Sequence, residues 1–506
     1  MSTTDSARDP YVPSGAYGQL IAGEERAASD RFAAIDPSTG RPWAELAQGT
    51  VADVDQAVAA ARTAFRSWRR TTPAERQELL WRMADAIEAD APRWAQLLAT
   101  ENGRPIREAS VADVPTCAAI LRYFSGVGRG LHGEQIPVER PDSLIYTVRE
   151  PLGVIAALIP WNSPIITLAN KIAPALAAGN TVVVKPSEFA TASIVEFARA
   201  VQGILPPGVL NVVTGTGPET GAALVAHPDV AKITFTGGTE TARRIMSAAG
   251  LQLTPTVMEL GGKGAMIVCP DADLDLAVAD AMAGIFSANG QVCVAASRLI
   301  VHEDVHDAFL ERFTAATERI RVGDALDPET EFGPLVSAAH RDGVLGHVER
   351  ATAEGARIRV GGAPVELGGE LADGFFVAPT LLSDPDGGTS VSRDEVFGPV
   401  TVLERFRDED DAIARANAGR YGLATGVWTA DLRRAHRIAG ALESGIVWIN
   451  TWFDLAVGAP MGGVGDSGFG RETTAETLLE YTAPKVVNVG LASSRPAMWG
   501  LGGDRA

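Results

Sequence analysis

The apolar positions along the chain follow two rhythms. From residue 51 to about residue 130, through VADVDQAVAAARTAFRSWRR and VPTCAAILRYFSGVGRGL, apolar side chains return every three or four residues, which predicts mostly helix. Before it, up to about residue 50, the chain is turn-rich. After it, SLIYTVREP alternates and reads as a strand. The rhythm then shortens. GVIAALIP, TVVVKP, NVVTG and KITFTG are brief apolar or β-branched runs, separated by helical stretches such as ITLANKIAPALAAG and ASIVEFARAVQGI. Strands alternating with helices predict a parallel sheet with crossover helices. A second series begins near residue 260 with GAMIV, RLIVH, RIRVGG, PVTVLERF, GVWT and IVWIN. Two α/β domains are expected, with a boundary near residues 259–262. No repeat occurs at solenoid periods, and the Gly-, Ser- and Pro-rich end from Leu491 to Ala506 reads as loose.

Composition narrows the function classes. The 506 residues are 46% hydrophobic and 21% charged, as in an ordinary soluble globular protein. A formal charge of −19 argues against nucleic-acid partners, which need a basic face. The polar start MSTTDSARDP is not a secretory signal. PLGVIAALIPW, the longest apolar candidate, is about half a membrane span and holds two prolines, so no membrane partner is expected. Three cysteines give no disulfide framework, and a reducing cytoplasm fits.

Two motifs invite a metal and do not support one. HEDVH, His302 to His306, has the spelling of a zinc-peptidase helix. However, RLIV before it reads as a strand, and a helix starts only near Val305, with Asp304 as its cap. The two histidines then fall on different elements. DADLD, Asp271 to Asp275, lacks the glycine of a calcium loop and reads as acidic charge at a helix start.

Four stretches carry chemistry. SANGQVCVAASR sets Cys293 among glycine, asparagine and small side chains, a setting that suits a nucleophilic thiol, although a lone cysteine also serves as a small core residue. VMELGGKGAMIV puts Glu259 at the end of an apolar run, where a raised pKa makes a carboxylate a usable base; a capped strand end reads the same way. IPWNSP fixes Asn162 between Trp161 and a Ser163-Pro164 bend, where an amide can donate to an oxyanion or simply make the turn. VVVKPSE places Lys185 and Glu188 beyond a buried strand, fit for a ribose at the carboxyl edge of a parallel sheet. VVTGTGPETG and ITFTGGTE then offer Gly215, Gly217, Gly221, Gly237 and Gly238 at strand-to-helix turns, where phosphate approaches backbone N–H groups. Their spacing departs from GxGxxG.

In this order, PWN, KPSE, FTGxT, ELGGK, GQxC, EVFGPV and SGFGRE resemble the NAD(P)-dependent aldehyde dehydrogenase family over about residues 20–490. The resemblance implies two Rossmann-like parallel-sheet domains. A cofactor-binding domain takes residues 1–131 and 152–259, and a catalytic domain 260–470. A small β oligomerisation arm takes 132–151 and 471–495, and a flexible tail 496–506. It further implies that Cys293 attacks the aldehyde, that Asn162 and the Cys293 N–H hold the oxyanion, that nicotinamide takes the electrons to leave a thioester, and that Glu259 activates the hydrolytic water. Lys171 matches a lysine near both sites. NAD, with NADP as the alternative, would lie along Ile159, Pro160, Trp161, Lys185, Ser187, Glu188, Gly217, Gly221, Phe235, Thr236, Gly237, Gly238, Thr239, Leu260, Gly261, Glu395 and Phe397; no metal is called for. Gly238 replaces a common serine, Ala242 a common glycine, and Gly465 a common lysine. The aldehyde tunnel would be lined by Ser163, Thr167, Asn170, Trp452, Leu455 and Met461. That set suggests a larger or polar-substituted aldehyde, aromatic among them, with betaine aldehyde (held by Trp452 through cation–π attraction) or a semialdehyde as alternatives. A CoA-acylating dehydrogenase and a cysteine esterase are the rival activities. SLIYTVREP and YTAPKVVNVG match the family's homo-oligomer contacts.

Overall fold

The computed structural model describes residues 15–493, so the polar N-terminal decapeptide and the expected tail at 496–506 lie outside the described residues. Five parallel strands form the first sheet, side by side in the order Leu210–Val212, Thr181–Pro186, Val154–Ile159, Val230–Thr236, Thr256–Glu259. The chain starts in the middle, winds to one side, then returns to build the other. The strand order therefore reverses between Val154–Ile159 and Val230–Thr236. These strands read as unbroken apolar runs because both faces are covered. Ile155 and Ala157 join one buried cluster, with Leu121, Phe124, Ile172 and Leu176. Ala156 and Leu158 join the other, with Val58, Phe235 and Met258. The helices Val51–Trp68 and Pro73–Glu88 open on capping boxes, Thr50 with Asp53 and Thr72 with Glu75.

The second sheet sets Thr380–Ser383, Val400–Phe406, Arg298–His302, Ala265–Val268, Ala424–Trp428 and Ile446–Ile449 in parallel. Arg357–Val360 lies antiparallel on one edge. A third sheet pairs Thr482–Gly490 with Ser143–Pro151, and the latter with Gln135–Ile136.

Three local readings need correction. The first fifty residues are not only turns: Gln19–Ile21 adds to the first sheet, and Arg31–Asp36 pairs with Arg41–Ala47. Gly468–Phe469, from late in the chain, pairs antiparallel with Met258 and Glu259 on the first sheet. His302 ends a strand while the helix His306–Thr317 begins after Val305, and Asp304 does not cap it but donates its N–H to His302 Nδ1. In the DADLD stretch, Asp273 caps the helix Leu274–Phe286 by accepting from Asp275 and Leu276 N–H. Among the described residues no group of three or more His, Cys, Asp or Glu could hold a metal ion, and no helix is long and apolar enough to cross a membrane.

Candidate active site

The loop that carries Cys293 is held from several sides. It follows the helix Leu274–Phe286 through a tight turn in which Ala288 and Asn289 adopt left-handed φ values of 49° and 59°. Such backbone persists only when its surroundings fix it. Here the buried Asn289 amide donates to the Gly103 and Pro334 carbonyls at 2.8 and 2.9 Å and accepts from Gly333 N–H at 2.7 Å. Gln291 accepts from Val336 N–H. Gly290 is obligatory: at φ 75° a Cβ would lie 2.4 Å from the Gly398 carbonyl carbon. The half-buried Cys293 then opens on a cavity of about 720 Å³ between the two sheets. Burial pushes its thiol up to about 12, and the nearby Glu395 and Glu259 carboxylates push the same way, while the backbone amides of Val294 and Cys293 pull it down.

Asn162 lines the same cavity. Pro164 opens the helix Pro164–Ala177, so the chain leaving the strand at Ile159 must bend at the residues between. The Asn162 amide donates to the Gln291 carbonyl at 2.9 Å, which ties it to the cysteine loop and leaves its second N–H free of that bond.

Glu259 ends the strand Thr256–Glu259 and is buried against the cavity, both carboxyl oxygens without a protein partner. Burial raises its pKa well above the usual carboxylate range. Glu472 raises it further, and Lys171 and Arg471 oppose. The glycines after it permit close approach. A Cβ on Gly261 would meet the Glu395 carboxylate at 2.0 Å, and one on Gly262 the Cys293 carbonyl at 2.5 Å. Glu395 accepts from Gly262 N–H at 2.8 Å. Phe397 (φ 55°) stands beside Trp161, ring centroids 5.4 Å apart, and its carbonyl accepts from His340 Nε2 at 2.8 Å.

The cofactor candidates fall into two groups. Pro160, Trp161, Thr236, Gly237, Gly238, Leu260, Gly261, Glu395 and Phe397 line the cavity beside Cys293. Lys185, Ser187, Glu188, Gly217 and Gly221 do not line it. Lys185 Nζ pairs with Glu188 at 3.6 Å, and a Cβ on Gly221 would lie 3.8 Å from Lys185 Cδ. Ser187 N–H bonds the Ile159 carbonyl, which links the ends of two adjacent strands. Ile159 and Phe235 are buried, and Thr239 donates to the Asp466 carbonyl, so these three support the turns from behind. A dinucleotide fits this edge: backbone at Gly217 and Gly238 faces open space, and the buried Thr236 hydroxyl has no protein partner.

On the aldehyde side, Ser163, Thr167, Asn170, Leu455 and Met461 line the cavity as expected from their positions. Trp452 does not. It is 5% exposed, stacks on Trp428, packs at a tilt against Trp448, and donates Nε1–H to the Val294 carbonyl at 3.0 Å, so it supports the cysteine loop from the core and cannot cage a cation. Lys171 is fully enclosed, its Nζ bonded to Thr234 Oγ1 and Glu472 Oε1 at 3.1 and 2.8 Å; it meets the cavity only through Glu472. Sequence reasoning did not find Arg104, Thr116, Ser287, Phe453 and Glu472 on the cavity wall. Two of them had a signal: Glu472 is the last residue of SGFGRE, and Ser287 the first of SANGQVCVAASR.

The chain matches a family model described as "Aldehyde dehydrogenase family" over residues 25–487. Among solved structures, PnpE from Pseudomonas sp. WBC-3 is 42% identical, covers 95% of this chain and 99% of its own, and superposes with a TM-score of 0.93; PnpE has also been solved with nicotinamide adenine dinucleotide. HpcC from Thermus thermophilus is 38% identical over 97% of this chain and 96% of its own, with a TM-score of 0.93. Betaine aldehyde dehydrogenase from Staphylococcus aureus, in complex with NAD+, is 35% identical over 95% of this chain and 96% of its own, also at 0.93.

Proposed function

Because the chain belongs to the aldehyde dehydrogenase family, we propose that it oxidises an aldehyde to the carboxylic acid with NAD+, through a covalent intermediate on Cys293. One observation carries this reading: three segments far apart in sequence bring Cys293, Asn162 and Glu259 onto a single cavity.

The sulfur forms a bond to the carbonyl carbon as the C=O π bond opens to an oxyanion, and the thiol proton passes to an ionised carboxylate, Glu259 and Glu395 being the two beside it. Asn162 and the Cys293 N–H stabilise the oxyanion of the thiohemiacetal, a kind of contact worth about 3–4 kcal/mol. NAD+, when bound, supplies the two-electron acceptor that turns this adduct into a thioester. Glu259 then takes a proton from water, which attacks the thioester and releases the acid and the thiol. Lys185 and Glu188 would hold the adenosine ribose, and Glu395 with Phe397 the nicotinamide end. The Glu188 carboxylate repels a 2′-phosphate, which favours NAD over NADP. The small or polar Ser163, Thr167 and Asn170 on the cavity wall suit a larger or aromatic aldehyde.

We place the protein in the cytoplasm, where its free cysteines stay reduced. It would assemble as a homo-oligomer through the outer edge of Thr482–Gly490, which among the described residues pairs only with Ser143–Pro151. The test is NADH absorbance from an aldehyde panel, with and without CoA, on the native chain and Cys293→Ala. Aldehyde-dependent, CoA-independent NADH that disappears in the variant is the expected result. A CoA requirement, or an undiminished rate in the variant, overturns it.

A further inference from the structure

Beyond size, the wall of the aldehyde cavity carries information about charge and hydrogen bonding. Ser163, Thr167 and Asn170 stand four and three residues apart at the start of and along the helix Pro164–Ala177, so they share its cavity face. Arg104 reaches Ser163 Oγ at 3.1 Å. Asn170 is different. It is 6% exposed, lines the cavity, and its Oδ1 has no hydrogen-bond partner in the protein. A buried amide oxygen left without a donor carries its full desolvation cost, so a ligand that brings a donor to it gains, while one that covers it with hydrocarbon does not.

The charges on the wall narrow the ligand further. Arg104 is the one cationic side chain on it among the described residues, and it is already engaged: its Nε lies 2.8 Å from Asp113 and 3.7 Å from Glu108, and its Nη1 donates to Ser163 Oγ and the Asn162 carbonyl. Glu108 faces Arg104 and Glu472 is paired with Lys171, while burial raises Glu259 and Glu395, so the carboxyl groups on the wall add no cation and little free charge. A carboxylate on the substrate finds here only a cation already paired with Asp113 and Glu108. A quaternary ammonium carries no donor for Asn170 and finds Trp452 withdrawn into the core. Ile120, Ile166, Leu455, Val457 and Met461 offer apolar surface for the body of the molecule.

We propose that the physiological aldehyde is uncharged and bears a hydroxyl group on a bulky apolar or aromatic body, and that Asn170 accepts the hydrogen bond from that hydroxyl. This rests on the aldehyde dehydrogenase reading above and extends it to the class of substrate. Asn170 acts on binding and specificity, since it contributes no group to bond making at the carbonyl.

The experiment measures kcat/KM for benzaldehyde, its three hydroxy isomers, 4-carboxybenzaldehyde and betaine aldehyde, on the native chain, Asn170→Leu and Asn170→Asp. In the native chain at least one hydroxy isomer should exceed benzaldehyde, and the carboxylate should fall about tenfold or more below it. The hydroxy-to-benzaldehyde ratio, which corrects for any general loss in a variant, should drop roughly fivefold to tenfold in Asn170→Leu, mainly through KM. Asn170→Asp keeps an acceptor oxygen and should hold more of the ratio than Leu. A native enzyme that prefers benzaldehyde over all three isomers, or favours the carboxylate or the ammonium, overturns the inference even if no variant folds. So does a ratio that survives in Asn170→Leu. Benzaldehyde oxidation with any of these results leaves the family chemistry standing; no NADH from any aldehyde ends both.

Discussion

The two parallel sheets face the cavity with opposite ends. The first presents its carboxyl ends: Asn162 follows the strand ending at Ile159, Gly237 and Gly238 follow Thr236, and Glu259 is itself a last residue. The second presents the segments that enter its strands: Gly261 precedes Ala265–Val268, Cys293 precedes Arg298–His302, and Glu395 and Phe397 precede Val400–Phe406. The general rule for open α/β sheets puts ligands at carboxyl ends. The corresponding edge of the second sheet is instead closed by polar contacts. Thr429 donates to Asp271 at 2.8 Å, Arg434 pairs with Asp271 and Glu409 at 2.8 and 3.1 Å, and Arg437 pairs with Glu409 at 2.9 Å. Two cysteines mark the contrast. Cys269 follows a strand of the second sheet and is 1% exposed, and burial pushes it up to about 12, as in Cys293. The two thiols share a raised pKa but differ in access: Cys293 opens on the cavity and Cys269 does not.

The sharpest break of this comparison is at the thiols. Cys293→Ala should abolish turnover by four to six orders of magnitude, on the scale of nucleophile removal elsewhere. Cys269→Ala should leave kcat within about threefold, with a small loss in melting temperature. Glu259→Gln comes next, with an expected loss of about 10²–10⁴ in steady-state rate. Its raised pKa fixes the pH dependence. The carboxyl is protonated over more of the acid range than an ordinary glutamate, the base form grows as pH rises, and thioester hydrolysis should rise with it. In the Gln variant that rise should flatten in single-turnover deacylation. A rise that persists unchanged assigns the base elsewhere. Asn162→Ala should cost about 10²–10³ in kcat. At the small end, Asp271→Ala on the closed edge removes the Arg434 pair together with bonds from Thr429 Oγ1 and Asp431 N–H and should cost about 1–3 kcal/mol by denaturant melts, with activity retained.

The strands of both sheets were legible because burial on both faces leaves unbroken apolar runs, as in TVVVKP and GVIAALIP. Asn162, Glu259 and Cys293 were legible as short motifs at strand ends and in a glycine-rich loop, and the structure brings those three together. What stayed hidden depends on distance in space. Nothing local to INTW tells that Trp452 turns inward, because the decision lies with the Trp428 and Trp448 rings and with Gly284 and Gly426, where a Cβ would come within about 3 Å of its indole. Arg104 looks like any loop arginine until Asp113 and Ser163 are placed beside it. Thr380–Ser383 was missed because four residues after a proline carry too little pattern to separate a strand from a turn.

The antiparallel pairing of Gly468 and Phe469 with Glu259 and Met258 spans more than two hundred positions. During synthesis on the ribosome, a nascent chain that has emerged through residue 300 holds every parallel strand of the first sheet but leaves that outermost backbone bare. At elongation rates of about 5–20 residues per second, the wait for the covering segment lasts on the order of ten seconds or more. Slower translation of the second half would lengthen the time for which that strand edge stands open to pairing with another chain.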